Sequence, residues 1–467
     1  MTDPYPSSDA APTRGGRHAA PSLRQRQAAR LAELRRHGPN LPEAALRVEA
    51  EQVTADLTRE KARWDRGFTR RRVIAGAGAV GVATLGSQLV TTRYSFADPA
   101  TTNRTLIVVF LRGGMDGLSV VVPAGDPNLK KLRPSIGVDA AALLPADGKF
   151  GLHPQLAPLL PFWQAGTMAA VQAISSPDVS RSHFQAQDCF ERGTATTATR
   201  TGWLDRALTA MGPGGTFRAI AEGDSTPRSM VGIEQKLVLD GIDSFNLNTN
   251  SNVRDKTVAA LQALYTGFDH PAATFAATTL QALSSARKIA TTPYKPVMPY
   301  PGGGFADRLK DVARLIKAKV GLRVATIDLG GWDMHTNLGN VGGGDMRNAL
   351  DGLAKALAAF ATDLGPTLND VNLVTMTEFG RRVQENGNAG LDHGRGGLML
   401  LLGGGLVGGK VHGKWPGLAP DALDNGDLAG PNDYRDVLGE ILQRGFNVGD
   451  LTKVFPDHPY TRLNVLK

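Results

Sequence analysis

Cysteine is nearly absent from this chain, with Cys189 alone among 467 residues. No intrachain disulfide can form, and thiolate metal clusters and Cys-x-x-Cys redox pairs are excluded. Aromatic residues are scarce as well, at 6%. A strongly apolar run fit to anchor the chain is also missing. The uncharged stretch Val73 to Thr92 is built mainly from Gly, Ala and Val, too weakly hydrophobic for a stable transmembrane anchor of about 20 residues. A basic surface on the main body is lacking too. The formal charge is +8, but residues 1–97 carry 16 Lys and Arg against 9 Asp and Glu, which leaves only +1 for the remainder. That near-neutral balance gives no electrostatic case for nucleic acid as a partner.

What is present begins with a basic leader. Residues 1–39, rich in Arg, Ala, Pro, Ser and Gly without apolar periodicity, read as disordered. Asn40, Pro42 and Glu43 then form a helix-start signature, and Leu46, Ala50, Val53, Leu57 and Trp64 mark an amphipathic helix over 40–68. Residues 69–97 follow as a secretory signal. Arg70-Arg71-Arg72 precedes the uncharged stretch, and Ser95-Phe96-Ala97 offers a small-x-small cleavage site. Paired arginines before a mildly hydrophobic segment predict export through the twin-arginine translocase and cleavage near Ala97. The mature chain is then expected in the periplasm, the envelope or outside the cell. A route that carries already folded proteins also suits a chain without disulfides.

Residues 98–467 read as one α/β domain. Continuous apolar runs at 105–111, 168–174, 324–329, 371–377 and 398–402 have the character of strands buried on both faces. Helical stretches at 152–165, 254–265, 305–318 and 346–363 lie between them. This alternation predicts a mostly parallel sheet with helices on both faces. Residues 212–303, rich in Thr, Asn, Pro and Gly, read as an inserted, lid-like segment.

Sites in such sheets gather beyond the carboxyl ends of strands, and the chemistry-bearing residues fall there. Asp116 follows the first run, and Ser182-His183 the second. Asp333 and His335 follow the third. Glu378, Arg381, Asp392, His393 and Arg395 follow the fourth, and His412 follows the fifth. Carboxylate and imidazole ligands without thiolate suit Zn²⁺, Mn²⁺, Mg²⁺ or Ca²⁺. One ion, or two about 4 Å apart, can polarise a phosphoryl or sulfuryl oxygen. Arg381 or Arg395 can hold an oxyanion bidentately, or can pair with a surface carboxylate.

Three lookalike motifs are dismissed. Gly404 to Lys410 matches a phosphate loop, but Val411 stands where the hydroxyl is required. Cys189-Phe-Glu-Arg192 lacks the proline of the sulfatase signature, and no G-x-S-x-G elbow is present.

Leu111-Arg-Gly-Gly-Met-Asp-Gly-Leu118, Ser182-His183-Phe184, Gly331-Trp-Asp-Met-His335, Thr377-Glu-Phe-Gly-Arg381 and Asp392-His-Gly394 together resemble the "domain of unknown function 1501" family. That family is grouped with the alkaline phosphatase/sulfatase-like superfamily, and its members are typically exported by the twin-arginine route. The resemblance implies that Asp116, Asp392 and His393 hold one divalent ion, and that Asp333, His335 and His412 hold a second. Glu378 is a further candidate ligand, and Ser182 the nucleophile or the group that positions water. The spacing Asp333-x-His335 departs from the superfamily's Asp-x-x-x-His. The expectation is an exported, metal-dependent hydrolase of a phosphate or sulfate ester. Its rival is a non-catalytic, exported binding or envelope-assembly protein on the same fold.

Overall fold

The computed structural model describes residues 104–195, 198–234, 236–245, 251–265 and 271–467. The expected disordered leader, amphipathic helix and signal segment lie outside the described residues. The apolar runs pair into a sheet of nine strands: β1 (Thr105–Leu111), β2 (Met168–Ser175), β3 (Ala219–Glu222), β4 (Leu237–Leu239), β5 (Val324–Leu329), β6 (Val371–Met376), β7 (Gly397–Gly403), β8 (Val411–His412) and β9 (Asn432–Asp433). Their order is β8-β2-β7-β6-β1-β5-β3-β4, with β9 also pairing β2. Parallel pairing runs through the sheet except at β7, which is antiparallel to both β2 and β6.

Alternate residues of a strand face opposite sides, and β1 shows what that does here. Ile107, Val109 and Leu111 enter one apolar core, while Leu106, Val108 and Phe110 enter another. The first core is closed by helices α5 (Gly304–Lys317) and α6 (Asp345–Leu364). On α6, Leu350, Leu353, Leu357 and Leu364 recur at helical spacing to make the buried stripe. The second core is closed by α1 (His183–Arg192), α2 (Trp203–Ala210) and α7 (Tyr434–Phe446). The mostly parallel sheet covered on both faces is therefore the architecture that the strand–helix alternation implied.

Two expectations need correction. Residues 212–303 are not wholly an insertion, because β3 and β4 are members of the main sheet. Only after them does the segment form the helical pair α3 (Ser251–Tyr265) and α4 (Pro271–Thr291), which shares a small core of Leu261, Leu280 and Leu283. The expected helix over 152–165 is broken into a 3₁₀ segment, Pro154–Leu159, and a short helix, Leu160–Gln164. Pro158 and Pro161 withhold N–H groups that one continuous helix would need. Among the described residues no helix is long and apolar enough to cross a membrane.

Candidate metal centre

The loops beyond β1, β5 and β6 are pressed against one another by glycine. Gly113 has φ +121°, and a Cβ there would stand 2.5 Å from the Asp333 backbone nitrogen. Gly114 has φ +68°, and its Cβ would stand 2.4 Å from the Phe379 ring. Only glycine tolerates both the backbone angle and the approach. Arg381, buried, ties the three loops together. Its guanidinium donates to the carbonyls of Gly114 (2.6 Å), Leu391 (3.0 Å), Trp332 (3.2 Å) and Gly113, and to the Asp333 carboxylate (2.6 Å). The chain then doubles back. Gly394 N–H donates to Gly380 (3.0 Å) and Arg382 N–H to Asp392 (2.9 Å), which sets Asp392 and His393 beside Arg381.

Three histidines converge on Asp333. His393 Nε2 lies 3.2 Å and His335 Nε2 3.1 Å from Asp333 Oδ1, and His183 Nε2 lies 3.4 Å from Asp333 Oδ2. The donor atoms of His183, Asp333 and His393 fall within 4.8 Å of one another. His335 Nε2 joins them, 3.0 Å from His393 Nε2.

Each ring presents its other nitrogen to an acceptor. His183 Nδ1 faces Glu378 Oε1 at 2.8 Å, His335 Nδ1 faces Asp392 Oδ1 at 3.1 Å, and His393 Nδ1 faces the Arg181 carbonyl at 2.8 Å. These acceptors draw the proton of a neutral ring to Nδ1, and in that form each Nε2 turns its lone pair inward. Arg181 takes a left-handed backbone (φ 56°) in delivering that carbonyl, and its guanidinium pairs with buried Asp427.

The inward atoms are all acceptors, and that is the test of whether a cation fits. His183 Nε2 is buried without a hydrogen-bond partner, and the His335 and His393 Nε2 atoms face each other at 3.0 Å. A buried acceptor left unpaired is costly, and a divalent cation satisfies all of these atoms at once. Electrostatics agree. Burial alone would raise the Asp333 pKa, but the Arg381 guanidinium beside it brings it down to about 2, so the one carboxylate in the cluster stays ionised. Burial pulls His393 below its ordinary value, which favours the neutral ring. Phe379 forms one wall, with ring centroids 4.9 Å from His183 and 4.7 Å from His393. Asp333 and His335 remain 45% and 42% exposed, so the cluster opens to solvent.

Asp333 and His335, assigned by the resemblance to one ion, and His393, assigned to the other, meet in a single cluster, whereas several other expected site residues lie outside it. Asp116 is buried, with both oxygens taken by Arg133 (2.5 and 2.9 Å), and it also caps Ser119. Glu378 stands behind His183 rather than inside the cluster, and its Oε1 also accepts from Gly113 N–H and Gln187, each at 2.9 Å. Asp392 likewise backs His335. Arg381 spends its donors on carbonyls and Asp333, so it presents no free fork to an oxyanion, and Arg395 pairs through Nη1 with Asp424 at 2.6 Å. His412 lies on edge strand β8, bonded to the Val407 carbonyl at 2.7 Å. The reason is β7: an antiparallel strand carries the chain into the sheet from the site edge and out at the opposite one. Ser182 is the N-cap of α1, and its side chain makes no capping bond. His183 was expected beside a nucleophile and proves to be a member of the cluster.

No curated protein matches the sequence. Among solved structures the chain is similar to the PsFucS1 sulfatase from Pseudoalteromonas sp., at 10% identity and a TM-score of 0.26, covering 84% of this chain and 74% of that one. It is also similar to the lipoteichoic acid synthase LtaP from Listeria monocytogenes, at 10% identity and a TM-score of 0.25, covering 83% and 80%. Likeness of that degree carries no conclusion about activity. The family model described as "Protein of unknown function (DUF1501)" matches residues 103–444, a span that holds β1 and every residue of the histidine cluster, and the chain therefore belongs to the DUF1501 family.

Proposed function

We propose that this chain is an exported, metal-dependent hydrolase acting on a phosphate or sulfate ester. The observation that carries the reading is the inward convergence of three imidazole Nε2 atoms on Asp333. A divalent cation held there supplies Lewis-acid charge that polarises a phosphoryl or sulfuryl oxygen. The protein's own groups do the rest. His183, His335 and His393 hold the cation as neutral ligands, and Glu378, Asp392 and the Arg181 carbonyl keep their protons on the outer nitrogens. Arg381 keeps Asp333 ionised and in place, and Phe379 keeps water from one side. Ser182, at the start of α1 with a hydroxyl not engaged in capping, is the candidate to attack the ester or to position water.

The test uses the purified full chain with an aryl phosphate and an aryl sulfate. Turnover of at least one ester is expected. Chelation should abolish it, a divalent metal should restore it, and Asp333→Asn should cost at least about 100-fold in kcat/KM. Ser182→Ala should remove turnover, and unchanged activity would take Ser182 out of the reaction. A second reading has its own support: Arg133 fills the environment of Asp116, as in a chain that kept the fold as a binding or envelope-assembly protein. A metal-loaded chain inert to both esters favours that rival.

A further inference from the structure

The family resemblance implies two ions, and the described residues do not accommodate two. A second ion needs its own ligands, and the residues that the resemblance assigns to it are paired elsewhere, stand behind a histidine or lie apart. Both oxygens of Asp116 are held by the Arg133 guanidinium, with the pair only 2% and 1% exposed. One Glu378 oxygen accepts three donors, from Gly113, Gln187 and His183, and the other lies 3.3 Å from the Thr377 hydroxyl. Asp392 uses Oδ1 to accept from Asn386 (3.1 Å) and His335, and so stands behind the His335 ring. His412 sits on the far edge strand with its Nε2 on a carbonyl. What remains is one set of four groups that face one another: Nε2 of His183, His335 and His393, and the Asp333 carboxylate, whose Oδ1 also accepts from Arg381.

We propose that the centre binds a single transition-metal ion per chain through these four groups, with the Arg133 guanidinium neutralising Asp116 where the two-ion arrangement would put a second cation. Three imidazoles with one carboxylate make a ligand set for Zn²⁺, Co²⁺, Fe²⁺ or Mn²⁺. Mg²⁺ and Ca²⁺ favour sites made almost wholly of oxygen. Three of the ligands have the outer-sphere acceptors that metal-binding histidines characteristically have: Glu378 behind His183, Asp392 behind His335, and the Arg181 carbonyl behind His393. The proposal rests on reading the cluster as a metal centre, and it is independent of whether an ester is hydrolysed.

The experiment titrates the metal-stripped full chain with Zn²⁺ and with Co²⁺, following heat and the visible d–d absorption of Co²⁺. One ion per chain is expected, with Co²⁺ bands displaced by an equivalent of Zn²⁺ and unaffected by millimolar Mg²⁺ or Ca²⁺. His335→Ala should lower Zn²⁺ affinity at least about tenfold, and Asp392→Asn should lower it by roughly 10- to 100-fold without removing the site. Asp116→Asn should leave the stoichiometry at one. Two ions per chain in the unaltered protein, fewer than about 0.2, or preference for Mg²⁺ or Ca²⁺ would overturn the proposal. Zn²⁺ affinity undiminished in His335→Ala would remove that ligand. A chain that binds one ion yet hydrolyses neither ester overturns the hydrolase reading and leaves this inference standing.

Discussion

At the scale of single residues, this chain buries charge in two ways, and the pair Asp116 and Glu222 shows both. Asp116 is matched by Arg133, whose guanidinium holds it below its ordinary pKa in spite of burial. Glu222, the last residue of β3, is 3% exposed, and neither carboxyl oxygen has a hydrogen-bond partner. Burial, reinforced by nearby Asp311, lifts its pKa from 4.5 to about 8, against the opposing pull of the Gly241 N–H and Arg308. A folded-state value above the unfolded one means that the folded chain keeps a proton that the unfolded chain gives up. The stability gained is full below about pH 4.5 and is lost as pH rises through about 8. Glu222→Gln should therefore melt several degrees above the unaltered chain at pH 9 and close to it at pH 5. Thermal melts at the two pH values check this, and an equal offset at both would show that Glu222 does not titrate in this window. Neither partnership was legible beforehand. Asp116 announced itself as a ligand by its place after a strand, but Arg133 carries no local mark of its role, and burial of Glu222 depends on β3 joining the sheet.

At the scale of elements, runs such as 105–111 and 371–376 were legible because a strand covered on both faces must be apolar at every position, whatever its neighbours. Strand direction carries no such mark. The run at 398–402 reads the same whether parallel or antiparallel, so its reversal, and with it the exclusion of His412, appears only in the pairing of β7 with β2 and β6. Conversely, the residues just before β7, Asp392 and His393, reach the site because the chain enters that strand from the site edge. Glycine was a better guide. Gly113-Gly114, a pair that permits sharp turns and close approach, packs against Asp333 and Phe379. Gly114→Ala puts a Cβ within 2.4 Å of the Phe379 ring on a left-handed backbone, at a cost of about 1–3 kcal/mol. Phe379 packs on His183 and His393, so the variant should lose Zn²⁺ affinity as well as thermal stability. A lower melting temperature with unchanged Zn²⁺ affinity would show that the wall does not position the ligands.

At the scale of the whole molecule, the chain separates its charge from its chemistry. The excess of +7 lies in residues 1–97, while the residues after them, at +1, carry the sheet and the histidine cluster. That division was legible because net charge is additive along a sequence, whereas the four-residue cluster needed three loops from three strands to meet. It also bears on transport. A centre assembled from residues as far apart as His183 and His393 exists only once the sheet has formed. The one cysteine is half-buried, with its thiol pushed up to about 11 by burial, so folding in a reducing compartment meets no disulfide requirement. Arg70 and Arg71 before the mildly apolar stretch then predict passage of the folded chain. In cells that possess the twin-arginine route, replacing both with Lys should hold the precursor in the cytoplasm at full length, still able to bind one Zn²⁺ per chain after purification. Fractionation with an antibody to the carboxyl-terminal region reads the first outcome, and Zn²⁺ titration reads the second. Normal secretion of the double variant would refute the route, while a trapped precursor unable to bind Zn²⁺ would show that the centre forms only after transport.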